Sequence, residues 1–476
     1  MSRLSTTINK FPRVFWVSNF MELFERWAWY GFYNALALYL TMSKDTGALE
    51  FTQAQKGIIM GTGTMLLYFL PLITGAISDR VGYKKVLIAS FTMYVGGYFM
   101  MGAFHTFGMI FFAYIFLAVA GALFKPIISA MIAKTTNKET SSVGFGIFYM
   151  MINIGGFIGP FISGFLYHAS WHYVFLMSII AIAINFIFVL FMFKEPHREE
   201  TDDSFLQNIW IALKNIGTTL LDWRYVLFLL IMSLFWSSFN QLYYSFPVFV
   251  EDWVKLDNLA AFLHMPAGSI TPVTILSMDA FFIIVFQMMV SSISAKFRPL
   301  HSMAVGILIL GAGLFLMFIT RSPWWVLLGL LVFSLGEMAS SPKFTEYVGR
   351  IAPEDKKALY MGTSFLPIAL GHFIAGWLSG EIYAVRAEKI TLLKEYLTEK
   401  GIAFHDVTQT FTQSDFYHQA EKLLGMDMSQ ITSMLWDKYH PSQVWVMYTG
   451  MAVLSTILLF VYDKFVLRHQ ENNNSK

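Results

Sequence analysis

The sequence predicts an all-helical protein that crosses a membrane twelve times, as six spans plus six. Three observations carry this expectation. Of 476 residues, 56% are hydrophobic and only 13% are charged, against roughly 25% charged in soluble domains. The apolar residues gather into runs long enough to cross a hydrocarbon core of about 30 Å, which takes about 20 helical residues. A polar stretch at 194–222 falls midway among those runs.

The runs lie at 13–41, 53–78, 84–104, 107–133, 142–168 and 171–193, then at 223–253, 272–295, 299–320, 323–350, 356–385 and 442–467. We number them spans 1 to 12. The implied units are a first bundle at 1–194, a linker at 195–222 and a second bundle at 223–476. Span 1 is too long for a cleaved signal peptide and carries Glu22, Glu25 and Arg26, so it is expected to stay in the mature protein. Span 4 contains Lys125 followed by Pro126, a cation before a helix-kinking proline. Between spans 11 and 12, residues 386–441 form a polar insert. Its helical patterns, Glu388–Lys400, Ser414–Leu424 and Ser429–Tyr439, are punctuated by Gly401, Gly425 and Pro441, with a cap expected within Ser414–Tyr417. A small helical lid over the rim is the plain reading of the insert; gating or partner docking is the functional one.

Charge sets the orientation. With the N-terminus inside, tails and inner loops hold 20 Lys and Arg, the short outer loops four (Lys44, Lys56, Lys255, Arg321), the insert six and the membrane three. By the positive-inside rule both termini are cytoplasmic and the insert is extracytoplasmic. Trp171, Trp223, Trp253 and Trp445, near span ends, read as interface anchors.

Composition also excludes functions. A net charge of +2 offers nothing to a polyanion, so no nucleic-acid partner is expected. The absence of cysteine rules out disulfides, iron–sulfur clusters and thiol catalysis. No His/Glu metal cluster, P-loop or Ser-His-Asp grouping stands out, so neither an enzyme nor a bound cofactor is expected.

Ionisable groups inside the spans carry the chemistry, because each costs about 2.5–3.5 kcal/mol at the bilayer centre unless paired or wetted. They are Glu22, Glu25 and Arg26 in span 1, Lys125 in span 4, Asp279 in span 8 and Glu337 in span 10. At 100° per residue, Glu22, Glu25, Arg26, Tyr30 and Tyr33 share one helix face, and Glu22 with Arg26 has the i, i+4 spacing of an ion pair. A carboxylate beside a guanidinium changes proton affinity as the pair opens or closes; a static packing pin is the alternative. Lys343 and Glu346, at i, i+3 near the end of span 10, read as a gate or anchor. Asp279 is expected to be the counter-charge of Lys125 across the bundles, with substrate binding or an outer-vestibule position as the alternatives. His105, His168, His172 and His301 fall in loops, and His372 in span 11 has no assigned role.

Two six-span bundles joined by a polar linker resemble a major facilitator, whose halves rock around a midplane site. The motifs narrow this. Glu22-Leu-Phe-Glu25-Arg26-Trp27-Ala-Trp29-Tyr30-Gly31 resembles the E-x-x-E-R-F-x-Y-Y-G signature of proton-dependent oligopeptide transporters. Span 5 is similar to a second family pattern over Phe145-Gly-Ile-Phe148-Tyr149-Met-Met-Ile-Asn153-Ile-Gly155-Gly156-Phe157. Tyr68, the loop Gly75-Ala-Ile-Ser-Asp79-Arg80-Val-Gly82, Phe124-Lys125-Pro126 and Gly336-Glu337-Met-Ala-Ser-Ser341-Pro342 resemble the remaining motifs.

The resemblance implies a monomeric symporter that imports di- and tripeptides, driven by the proton gradient across a bacterial inner membrane. Glu22 and Glu25 would bind protons with Arg26 as partner, and Asp279 joins them as a coupling candidate. Tyr30, Tyr33, Trp236 and Asn240 are pocket candidates; Lys125 would face the substrate carboxylate, Tyr68 and Asn153 its backbone, and Glu337 its amine with Ser341 one turn beyond. Asp79 and Arg80 would gate with Lys343 and Glu346.

The chain departs from the family pattern at Tyr33 (usually arginine), Asn240 (usually acidic), Asp279-Ala280 (usually Asn-Pro) and Ser364 (usually tryptophan). These departures favour, as the alternative, a facilitator for another amphoteric or anionic metabolite. A non-transport receptor is the remaining class.

Overall fold

The computed structural model describes residues 8, 10–137, 139–195 and 205–467. Arg3, Lys138, Arg198, Arg468 and Lys476, counted toward orientation, lie outside the described residues, as does the linker segment 196–204. Ten helices among the described residues are long and apolar enough to cross a membrane, and eleven when the bent pair of span 2 counts as one. Span 1, a 29-residue helix over Arg13–Thr41, completes twelve.

Local chemistry explains where the helices start. Spans 8, 9 and 10 open on Pro272, Pro299 and Pro323, where the missing N–H would have no helical partner anyway. Thr52 and Gln55 form a capping box at the head of span 2. Asp222 accepts from the Arg224 and Tyr225 amides to start span 7.

Prolines also decide the breaks. Span 2 bends by 49° between Gln53–Phe69 and Pro71–Val81. Span 4 runs through Pro126 without a break, over Phe107–Lys134. Pro126 cannot donate to the carbonyl of Ala122, four residues back, and the Thr74 hydroxyl of span 2 does so instead at 2.5 Å. Span 7 is divided into Trp223–Phe239, Gln241–Tyr244 and Phe246–Trp253.

The spans pair in a repeating pattern. Span 1 packs on 5 and 6, span 2 on 4, and span 3 on 4 and 6; adding six to every number gives the contacts of the second half, 7 on 11 and 12, 8 on 10, and 9 on 10 and 12. The halves meet through spans 2 and 11 and through spans 5 and 8, and these two contacts exchange under the same operation. This pseudo-two-fold relation places the interface between halves at the centre of the molecule.

Several sequence expectations change. The linker contains a helix, Phe205–Thr219, that packs on Pro71–Val81 of span 2 and on Lys357–Thr363 of span 11. The insert helices are Lys389–Glu399, Gln413–Leu424 and Met428–Tyr439. The second is capped by Thr412 in a box with Asp415, not from within Ser414–Tyr417, because the Thr412 hydroxyl reaches the Asp415 amide. Three of the four tryptophans read as interface anchors are buried: Trp171 stacks on Tyr167, Trp445 on Phe318, and the Trp253 indole donates to the Ala387 carbonyl. Only Trp223 is exposed. Lys56, counted as an outer-loop cation, is fully buried in the first turn of span 2, where its ammonium donates to Gln53 and to the Tyr244 carbonyl.

The insert reaches across both halves. Arg321 donates to Ser433, and Trp436 packs on Phe249 and Trp253 of span 7. On the other side, the Gln413 amide donates to Glu50 at 2.5 Å and the Ser414 hydroxyl to Asp45 at 2.9 Å, in the loop between spans 1 and 2.

Candidate functional site

The charged face of span 1 reaches span 3 through Glu25. Glu22, Glu25 and Arg26 are all buried. The sequence spacing points to Glu22 as the partner of Arg26, and that pair is present at 3.3 Å. The shorter contact belongs to Glu25, which accepts from Arg26 Nε at 2.5 Å and from the Tyr94 hydroxyl of span 3. Tyr94 decides this, since it brings a second donor to Glu25 that no reading of span 1 alone supplies. Two carboxylates around one guanidinium leave a net negative cluster with room for one proton. The guanidinium also stands 5.7 Å from the Tyr30 ring centre.

Span 5 approaches span 1 through glycine. A Cβ at Gly155 or Gly159 would collide with the Leu23 or Trp27 carbonyl oxygens, so these positions accept no side chain. Close approach sets Asn153 and Gly156 on the wall of a small cavity between the halves, about 60 Å³, shared with Tyr30, Asn34, Tyr243, Asp279 and Glu337. Asn153 donates its amide to Tyr149 O of its own helix at 2.8 Å. Asp279 accepts a 2.5 Å hydrogen bond from Ser334 of span 10. Glu337, one turn along from Ser334 (i+3), keeps Oε2 buried without a partner. A carboxylate pair lining one cavity is an anionic pole, and it attracts an ammonium group or a proton.

Lys125 stands elsewhere. Its ammonium lies 3.9 Å from the centre of the Tyr68 ring, and among the described residues no ion pair joins it to Asp279. The expected cross-bundle pair is therefore absent from this conformation: Asp279 is committed to Ser334, and the cation is stabilised by an aromatic face.

Other expected pocket residues fall around these two poles. Tyr33 packs on Trp29 and Tyr243. Trp236 packs on Phe239 and Phe344. Trp236 Nε1, Asn240 Nδ2 and Ser341 Oγ are buried without hydrogen-bond partners, and each such group costs about 1–3 kcal/mol until one is supplied.

The gating candidates sit at the span ends on the face that carries the linker. Asp79 accepts from the Tyr83 hydroxyl at 2.7 Å, and Lys134 of span 4 donates to the same hydroxyl at 3.1 Å. Gly82, with φ of 103°, makes the turn between them. Arg80 Nη1 is buried with no hydrogen-bond partner among the described residues. Lys343 pairs with Glu346 at 2.7 Å, and Arg350 pairs with it from the next turn at 2.5 Å.

Six residues here have no role assigned from the sequence. Asn34 lies one turn beyond Tyr30 on the polar face of span 1, and Tyr243 is close to the Asn240-Gln241 motif; helical spacing would have found both. Tyr94, Ser334 and His372 gave no such signal, because only tertiary packing sets them beside Glu25, Asp279 and Tyr68. Glu195 was read as linker, yet its carboxylate accepts from the Tyr83 and Lys84 amides and caps span 3.

The family model for the Major Facilitator Superfamily matches residues 15–376. The chain belongs to that superfamily. Among relatives of this facilitator, the peptide transporter YePEPT of Yersinia enterocolitica is 24% identical, covering 80% of this chain and 89% of its own. Dipeptide and tripeptide permease B of Aeromonas hydrophila is 23% identical, covering 77% and 84%. A solved POT family transporter in complex with 5-aminolevulinic acid superposes with a TM-score of 0.71 at 17% identity, covering 97% of this chain and all of that one. These similarities agree with the branch that the span 1 and span 5 motifs resemble. The facilitator is thus a multi-pass membrane protein built on the six-plus-six fold.

Proposed function

We propose that this protein is a proton-coupled symporter that imports di- and tripeptides or peptide-like solutes by alternating access. The observation that carries the reading is the separation of opposite charges between the halves: Asp279 and Glu337 on spans 8 and 10 share one cavity, while the Lys125 ammonium of span 4 lies on the Tyr68 ring. A zwitterionic peptide needs two such poles. In this reading Glu337 and Asp279 receive the amine and Lys125 the carboxylate. Tyr30, Tyr68 and Asn153 line the path between them, and Glu22, Glu25 and Arg26 exchange the proton. No cofactor takes part; the proton gradient drives uptake.

The motif resemblance and the names of the relatives support the substrate class. Twenty of the 33 cations in tails and loops on one side support cytoplasmic termini in a bacterial inner membrane. We infer a monomer as the working unit, since both poles come from one chain.

Reconstitution tests this. With an inward proton gradient across liposomes, saturable uptake of dialanine and trialanine is expected, abolished by protonophore and strongly reduced in Glu22→Gln. A second reading, a carrier for another amphoteric metabolite, is favoured by Tyr33, Asn240, Asp279 and Ser364, where the pocket departs from the family pattern. Including 5-aminolevulinic acid as substrate separates the two, because uptake of it without uptake of either peptide selects the second.

A further inference from the structure

Spans 2 and 11 meet along a seam of small residues. A Cβ at Gly57 would collide with the Gly376 carbonyl, and one at Gly61 would stand 3.1 Å from Gly376 Cα and 3.4 Å from the His372 carbonyl oxygen. Backbone therefore lies against backbone, and one helical turn from Gly376 the seam ends on His372. That side chain is buried, and two aromatic neighbours hold it. Its ring stacks on Tyr68 of span 2 with centres 5.1 Å apart and planes at 15°. Its Nδ1 lies 3.2 Å from the Tyr244 hydroxyl of span 7. With its one proton directed at the Met60 carbonyl, 3.0 Å away, the Tyr244 hydroxyl accepts from an imidazole that carries its hydrogen on Nδ1.

The same Tyr68 ring carries the Lys125 ammonium at 3.9 Å from its centre. His372, on the second half, thus fixes an aromatic ring on the first half, and that ring seats the mid-membrane cation of span 4, Lys125. An ammonium follows the ring that holds it: cation–ring attraction weakens quickly once the charge leaves the ring face. Packing alone would ask only for an apolar side chain at 372. A residue that stacks and also donates to Tyr244 orients Tyr68 as well as filling space.

We propose that His372 is a positioning residue for the cationic pole: through Tyr68 it sets the place at which Lys125 meets a substrate carboxylate, and through the seam it ties that place to the contact between spans 2 and 11. The inference rests on the reading of Lys125 as the carboxylate's partner. When the halves rock and the seam opens, His372 withdraws, Tyr68 is released and the cation loses its seat. The substrate class concerned is any solute with a free carboxylate.

The test compares dialanine with dialanine amide, which lacks the carboxylate, in proteoliposomes of the full-length protein. His372→Ala is expected to raise KM for dialanine about tenfold while turnover stays within about threefold, and to change KM for the amide by less than about threefold. His372→Phe, which keeps a ring against Tyr68, is expected to recover most of that affinity. Equal losses for the two substrates, or indistinguishable Ala and Phe variants, would overturn the proposal. Should His372→Ala fail to fold, Tyr244→Phe removes the hydroxyl that holds Nδ1 and is expected to raise KM for dialanine alone by about threefold; an unchanged value there would also overturn it.

The wild type separates this proposal from the transport reading. If it takes up dialanine and His372→Ala leaves KM unchanged, the positioning role falls and the transport reading stands. If it takes up neither substrate, the transport reading falls. Acetic anhydride labelling of Lys125, followed by mass spectrometry, then decides the positioning role. Labelling at least about threefold faster in His372→Ala supports a released ammonium, and equal rates reject it.

Discussion

Ser334 donates a 2.5 Å hydrogen bond to Asp279, joining span 10 to span 8 at the wall of the cavity between the halves. In this conformation Asp279 is directed at span 10, while the Lys125 ammonium lies on the Tyr68 ring. The bond also orients the anionic pole that Glu337 shares.

Removing that donor should be felt by the substrate. Ser334→Ala is expected to weaken dialanine uptake about tenfold in KM, which corresponds to about 1.4 kcal/mol, close to the lower end of the range of about 1.5–3 kcal/mol for hydrogen bonds to charged groups. Ser334→Thr keeps the hydroxyl and should stay within about twofold. Initial-rate uptake in liposomes measures both.

Thr74 replaces the hydrogen bond that Pro126 cannot make to Ala122. Thr74→Val keeps the shape and leaves the carbonyl unpaired, at a cost of about 1–3 kcal/mol. A lowered unfolding midpoint in detergent is expected, with Thr74→Ser close to the parent. Equal midpoints for Val and Ser would show that the carbonyl finds another partner.

The glycine seam between spans 2 and 11 closes the face that carries the insert. Gly57→Ala forces the two backbones apart, since its Cβ has no room beside Gly376. The chain has no cysteine, so a single Asn34→Cys reports access to the central cavity directly. In the Gly57→Ala background, a membrane-impermeant maleimide added from the insert side should react at least about fivefold faster, because crowding at a packed contact shifts its open and closed populations.

Docking of the insert should resist ordinary acidity. Burial pushes the Asp45 carboxyl up, but hydrogen bonds from Ser43 and Ser414 outweigh it and hold the group below its usual range. A depressed value means that docking favours the ionised form: its contribution is present above the ordinary carboxylate range and is lost as pH falls through the lower, docked value. Protection of Gln413–Leu424 against hydrogen exchange, corrected for intrinsic rate, is therefore expected to stay level from about pH 8 to 5 and to drop only in stronger acid. Asp45→Asn should lower protection at neutral pH.

Much of the fold was legible because the bilayer imposes a simple rule on sequence. Every helix must be long and apolar, so all twelve runs were visible, and so was the six-plus-six division. Charges are expensive there, so Glu22, Glu25, Arg26, Lys125, Asp279 and Glu337 stood out against an apolar background. The helix in the linker, Phe205–Thr219, is amphipathic but only 15 residues long, so a rule that looks for runs of membrane length leaves it as loop. Trp171, Trp253 and Trp445 were misread for a related reason: position near a span end does not tell whether a side chain turns toward lipid or toward a neighbouring helix.

By itself the sequence determined the membrane setting, the number of spans, the residues that carry charge inside them and the family those residues resemble. Tertiary structure alone decided the partners. Tyr94 meets Glu25, Ser334 meets Asp279, and Tyr68 stands between Lys125 and His372 because helices far apart in the chain pack side by side. Periodicity reports only which residues share a face of one helix. A hydrogen bond or a cation on a ring depends on a few ångströms between two helices, and that distance is set by the glycines and prolines at their contacts, acting together.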